Sequence, residues 1–316
     1  MPPRGKLTQA ERRAARQRQQ DRAEAGGETV IEHVPQGPPC CRRNAARQSK
    51  LNAKLHDAAS KGNTRRVDDL ISRGASVDGG DGSNNGMTSL MLAAANGHTD
   101  TVNALAGTYN ANVDAVNQNG WTALMLAAWY GRTATVNALA GTHNANVEAA
   151  EKDGLTALMR AAFHGHTGIV NALAGTYNAN VEAVGQDGKT ALMWAAWYGR
   201  TATVNALAGT HNANVEAVDN HGMTALMFAA DIGHTATVNA LAGTHNANVD
   251  AADQNGWTAL MRAAFHGHTA IVNALAATYN ANVDAADKDG KTAFICAATQ
   301  GHTDTVNALR RLGATR

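Results

Sequence analysis

The chain has 316 residues, 44% of them hydrophobic but only 4% aromatic, and a formal net charge of +1, so a sizeable core is possible but must be built from Ala, Leu and Val. Three cysteines, Cys40, Cys41 and Cys296, exclude a disulfide framework. No apolar run is long enough to cross a membrane and no secretory signal opens the chain, so the expectation is an intracellular, cytoplasmic (or nuclear) protein.

Residues 1–50 form a basic arm with 11 Lys+Arg against 5 Asp+Glu, whereas residues 51–316 carry 16 against 21. Within the arm, Thr8-Gln9-Ala10-Glu11 is a capping-box pattern that predicts a lone helix over 9–25, closed by Gly26-Gly27. That helix has no apolar stripe, so the arm reads as largely disordered or solvated, with Gly37-Pro38-Pro39 as a hinge. Two other readings stay open. Arg12, Arg13, Arg16 and Arg18, with Arg42, Arg43 and Arg47, are a targeting signal or a phosphate contact on nucleic acid. No aromatic interleaves them, which argues against a base-stacking platform.

The body is periodic. Gly86, Gly120, Gly154, Gly188, Gly222, Gly256 and Gly290 are each 34 residues apart, and each opens a near-copy of GxTALMxAAxxGxTxxVNALAGT(Y/H)NANV(D/E)A. Glycines inside each copy divide it into two short helices, a tight turn and a long loop. An internal repeat of this length signals a solenoid. Residues 51–85 are a degenerate, more polar first unit and 290–316 a polar last one, as the exposed ends of a stack require. Full repeats are 86–119, 120–153, 154–187, 188–221, 222–255 and 256–289.

Thr122-Ala123-Leu124-Met125-Leu126-Ala127-Ala128, the Gly97-His98 turn and Asn112-Val113-Asp114-Ala115 resemble, in fixed register, the helix start, Gly-His turn and finger of the ankyrin repeat family. The resemblance covers about 51–316. It implies an all-α helix-turn-helix solenoid with β-hairpin or loop fingers, preceded by the arm. Ala or Ser replaces that family's Pro, and Met replaces its loop-tying His, which suggests lower stability per repeat. Each unit has one extra residue between the second helix and the loop. Asn110 and its equivalents stand where the family has Gly, and Asn is the next-best residue for a left-handed turn.

Comparison among the copies separates packing positions from free ones. Positions 5, 8 and 9 of each copy stay apolar or small, whereas positions 2, 7, 10 and 11 vary and hold ten of the fourteen aromatics, including all five tryptophans. At about 100° per residue, 7, 10 and 11 share one side of the first helix. The family resemblance implies that this helix face and the loop tips line a concave surface that grips partners. The candidate partner-binding residues are Trp121, Trp129, Tyr130, Arg160, Phe163, His164, Lys189, Trp194, Trp197, Tyr198, Phe228, Asp231, Trp257, Arg262, Phe265 and His266. Trp, Tyr and Arg are also the residue types that dominate interface hot spots. The competing reading is that the aromatics fill grooves between Ala-rich repeats, with position 7 the most core-like.

Asp114, Glu148, Glu182, Glu216, Asp250 and Asp284 recur at one loop position, read as a solvated edge or as a stripe for basic partners such as the arm itself. No catalytic constellation, cofactor motif or metal set stands out. Gly188-Lys189-Thr190 and Gly290-Lys291-Thr292 lack the glycine a phosphate loop needs five residues earlier. His33, Cys40 and Cys41 are incidental tail residues on this reading. His166 belongs to a column that also holds Arg132 and Arg200, and His143 to one that holds Tyr, so neither reads as a ligand. The sequence therefore predicts a monomeric, non-enzymatic scaffold or adaptor for a protein or peptide. The alternatives are a nucleic-acid-associated scaffold recruited by the arm, or a subunit positioning a catalytic partner.

Overall fold

The computed structural model describes residues 39–80 and 85–315. The helix predicted over 9–25, the arginines Arg12 to Arg18 and the side chains of the His33, Cys40 and Cys41 cluster lie outside them. The first described helix, Pro39–Ser60, runs through the arm–body boundary read at 50/51. Pro39 opens this helix instead of serving as a hinge, because its fixed φ suits a first helical turn whose N–H groups are free anyway. The compact body begins at Arg47. Gln48 already belongs to it, since its amide Nε2 donates to the Gly74 carbonyl at 2.7 Å.

Each repeat then builds the same pair of helices. In the 120–153 repeat the first helix is Ala123–Trp129, and the Thr122 hydroxyl caps it by accepting the Met125 N–H at 3.2 Å. The same cap recurs at Thr88, Thr156, Thr190, Thr224, Thr258 and Thr292. Gly131, at φ 71°, reverses the chain. A second helix follows as an α-helical turn, Thr133–Asn137, continued by a π-helical one, Ala138–Thr142. The π segment closes with the His143 N–H donating to the carbonyl five residues back, Ala138, at 3.0 Å.

The extra residue predicted between helix and loop therefore sits inside the last helical turn, where widening from i+4 to i+5 bonding absorbs it. Asn144, at φ 51°, then ends the helix, and all its counterparts from Asn110 to Asn280 share that left-handed conformation. In the terminal repeat the second helix, Thr303–Arg311, is α-helical throughout.

Between helices, Leu124, Met125, Ala127, Ala128, Val136 and Leu139, with their equivalents, make one continuous buried core. The fingers are loops closed by a tight turn. Among the described residues they hold only isolated antiparallel bridges, at Ala150–Thr156, Ala252–Thr258 and Ala286–Thr292.

Side-chain ladders lock each repeat to the one before it. His98, His166, His234, His268 and His302 each place Nε2 about 3 Å from a carbonyl of the preceding unit, as at Trp129 (3.1 Å) and Trp197 (3.0 Å). Arg132 and Arg200 reach the equivalent carbonyls, Ala95 and Phe163, through Nε. His and Arg interchange in this column because each can offer one N–H there. Likewise the Tyr279 hydroxyl donates to Asn239 Oδ1 at 3.3 Å, and His143, His211 and His245 reach the equivalent Asn at 2.9 Å.

The acidic column has the same kind of task. Asp114, Glu148, Glu182, Glu216 and Asp250 each accept the backbone N–H of the following unit's Asn, at 2.8 to 2.9 Å, and Asp284 accepts that of Thr315. It is neither a merely solvated edge nor a row of unengaged carboxylates.

Candidate partner-binding face

The variable residues of the first helices and finger tips assemble into a run of rings. Within the 120–153 repeat Trp121 and Trp129 meet edge-on, with centroids 5.4 Å apart. Trp129 contacts Phe163 of the next repeat at 5.2 Å, and Phe163 contacts Trp194 at 5.7 Å and Tyr198 at 4.0 Å. Trp194 stacks on Trp197 at 5.6 Å, and Trp197 on Phe228 at 5.0 Å. These distances fall in the range where aromatic pairs attract. The run ends at Asp231, which occupies the tenth position of its repeat in place of a ring. A smaller group, Trp257, Phe265 and His266, follows.

Exposure divides the candidates. Tyr130 is 51% and Tyr198 37% exposed, whereas Phe228 is only 4% exposed and belongs to the core. Trp121, Trp129, Phe163, Trp194, Trp197, Trp257 and Phe265 are half-buried. Groove-filling and surface display are therefore both present: the indoles pack between repeats, and the tyrosines at the helix ends stand out.

The cations are not free contacts. Lys189, 7% exposed, puts Nζ 2.8 Å from Asp187 and 3.8 Å from Asp219. The same Nζ lies 5.1 to 5.6 Å from the ring centres of Trp194, Trp197 and Phe228, so its charge is taken up by two carboxylates and three ring faces. Lys189 is thus a buried staple and not a tip residue open to a partner, since desolvating an ammonium group requires such company.

Arg160 pairs with Glu151 and lies over Trp121 at 4.3 Å and Trp129 at 4.9 Å. Arg262 pairs with Asp253 and also meets Asp231 at 3.2 Å. Both side chains are mostly buried, so they too act within the repeat stack.

A rule of complementary columns explains these pairs. The finger residue at 117, 151, 185, 219, 253 and 287 is Asn, Glu, Gly, Asp, Asp and Asp, and nine residues later stand Leu126, Arg160, Trp194, Phe228, Arg262 and Cys296. Arg160 and Arg262 answer the acid on the finger that closes the preceding repeat. Asp219 faces Phe228 and receives its cation from Lys189 of the preceding tip. Most of these finger residues also shape the turn: Asp219 Oδ1 accepts the N–H groups of His221 and Met223, both at 2.9 Å.

His164 and His266 occupy equivalent positions in identical AAFHGHT stretches, yet their surroundings differ. His164 lies edge-on to Trp129 at 4.0 Å, and its Nε2 is buried without a partner. Burial, with His166, Arg200 and Arg160 nearby, lowers its pKa below the ordinary 6.5. His266 is exposed and places Nε2 3.5 Å from Asp231. Burial pushes the Glu151 carboxyl above the ordinary range against the opposing pull of Arg160. Among the described residues no group of His, Cys, Asp and Glu is arranged to hold a metal ion.

A family model described as ankyrin repeats (3 copies) matches residues 55–151, 141–219, 158–253 and 226–315. No curated protein matches the chain.

Proposed function

Because the chain belongs to the ankyrin repeat family, whose members are generally protein–protein interaction modules and typically not enzymes, we propose that it binds a protein or peptide on the face bearing Tyr130 and Tyr198. One observation carries this reading: the ring run from Trp121 to Phe228 surfaces at Tyr198, and Tyr130 stands exposed next to Trp129 in the chain, while the lysine and arginines of the same face are already paired internally. A tyrosine offers apolar area and a hydroxyl at a small cost in side-chain freedom, which suits an interface anchor. The half-buried Trp129, Phe163, Trp194 and Trp197 supply the rigid floor.

Capture of cellular proteins by the full chain, read by quantitative mass spectrometry, tests the assignment. Tyr130→Ala/Tyr198→Ala should lose the specific partner at least tenfold while keeping its helical spectrum. Retention of every partner by that double variant would sink it. Truncating Trp197 is a poorer test, since its ring also packs against the core.

A further inference from the structure

The charge matching leaves out Arg132 and Arg200, at the turn edge of the proposed face. Each closes a Trp-Tyr-Gly-Arg stretch, two residues beyond an exposed tyrosine, in the column that elsewhere holds His. Both are exposed, and neither forms an ion pair among the described residues. Each is held at one point only. Arg200 lies across Gly165, whose missing Cβ would sit 2.8 Å from its Cδ, and its Nε donates to the Phe163 carbonyl at 3.2 Å. Arg132 lies across Gly97 in the same way, with Nε on the Ala95 carbonyl at 3.0 Å. Among the described residues the terminal NH₂ groups of both make no hydrogen bond. A guanidinium fixed in this way presents a planar fork of N–H groups that a carboxylate matches with two parallel bonds.

Arg200 is the better placed of the two. Phe163 joins it to the ring run, since the Phe163 ring meets Tyr198 at 4.0 Å while its carbonyl takes Arg200 Nε. Arg132 rests on Ala95, which has no ring. Asp100 stands three residues beyond Gly97, whereas Gly168 stands three residues beyond Gly165, exposed and with nothing within 4 Å of where its Cβ would be. So the acid of the Arg132 turn has no counterpart at the Arg200 turn, and the space is open. The charges that act on nearby His164 are those of His166, Arg200 and Arg160, all of one sign, and Arg160 is already matched by Glu151. A cationic guest would be repelled here, and a purely apolar one would leave the guanidinium unused. We propose that Tyr198 and Arg200 form one subsite for an acidic residue of the bound peptide, its carboxylate on the free guanidinium edge and an adjoining apolar side chain on the Tyr198 ring. The proposal rests on the reading of this face as partner-binding.

The test needs no partner. The full chain, labelled with ¹⁵N, is titrated with N-acetyl-leucyl-glutamate methylamide, and separately with its glutamine and lysine counterparts. The Arg200 Nε resonance is assigned by its disappearance in Arg200→His, and the variants are followed on the Tyr198 backbone amide. The glutamate probe should shift both resonances saturably, and the other two should bind at least tenfold more weakly. Arg200→His installs the residue that the column holds at His166 and His234, where Nε2 reaches the same kind of carbonyl, so the helical spectrum should persist. It should weaken the glutamate probe at least tenfold. Gly168→Asp, which copies Asp100, should also weaken it by offering the guanidinium a carboxylate of the chain itself. No shift with the glutamate probe, equal binding of either counterpart, or binding undiminished in Arg200→His or Gly168→Asp would overturn the proposal. A partner that survives the tyrosine variants would instead overturn the assignment of the face, so the two failures are separable.

Discussion

At the scale of single residues, the varying columns turn out to be charge-matched as well as displayed. Lys189 shows the consequence. Lys189→Ala leaves Asp219 buried, with one carboxylate oxygen already short of a hydrogen-bond partner, and should lower stability by roughly 2–4 kcal/mol in urea unfolding. Lys189→Leu combined with Asp219→Asn, residues present at the same positions in other repeats (Leu155, Asn117), should recover most of that loss. An additive double variant would mean that the pair is not coupled. The Glu151–Arg160 and Asp253–Arg262 pairs join two columns nine residues apart, a signal the sequence carries although both arginines read there as partner contacts. The Lys189–Asp219 match was not legible there, because it joins two different columns at opposite ends of the 188–221 repeat, and only the fold brings them together.

His164 adds a pH dependence at the same scale. Its folded pKa is lowered below 6.5, chiefly by burial, so the unfolded chain binds the proton more readily. The neutral ring is accommodated at full stability above pH 6.5, and stability is lost as the pH falls from there through the folded pKa. His164→Tyr, which copies Tyr130 and Tyr198, should remove that component. Thermal melts at pH 7.5 and 5 should then show a smaller acid-induced drop for the variant than for the wild type. Equal drops would contradict the assignment.

At the scale of elements, the second helix and the finger show what a repeat pattern reveals and what it hides. Asn was legible as a left-handed residue, and Asn144 adopts φ 51°. Asn144→Ala should therefore cost about 1 kcal/mol in the stability of the array, and Asn144→Gly less. The π turn was not legible, because an inserted residue in a sequence does not say whether helix or loop absorbs it. The acidic column carries a bond that its recurrence alone does not show. Its recurrence suggested charge, but its geometry uses an oxygen lone pair on the next repeat's Asn N–H. Glu182→Gln should then leave the melting temperature nearly unchanged and Glu182→Ala should lower it, with little effect of added salt on the difference. A loss of equal size in both variants would restore the electrostatic reading.

At the scale of the whole molecule, the body is a one-dimensional stack in which units touch their neighbours through recurring ladders: His or Arg to a helix carbonyl, Tyr or His to Asn, acid to Asn N–H, finger backbone to finger backbone, and Thr to Thr except where Ile169 and Ile271 stand. Such a stack holds the variable positions in fixed register. That explains why residues scattered through the chain, Trp129, Phe163 and Tyr198, form one surface. The period and the varying columns were readable from the chain alone, since repetition exposes them. The division of that surface into floor, staple and exposed anchor required side-chain packing, which no single column encodes.

The most direct measurement of the central claim is site-specific photo-crosslinking within one repeat. A photoreactive phenylalanine analogue is placed at Tyr198 on the ring face, or at Thr210, an exposed residue at the end of the second helix. Cross-links to the captured partner from position 198 and none from position 210 are the predicted result. Cross-links from position 210 with none from position 198 would contradict the account.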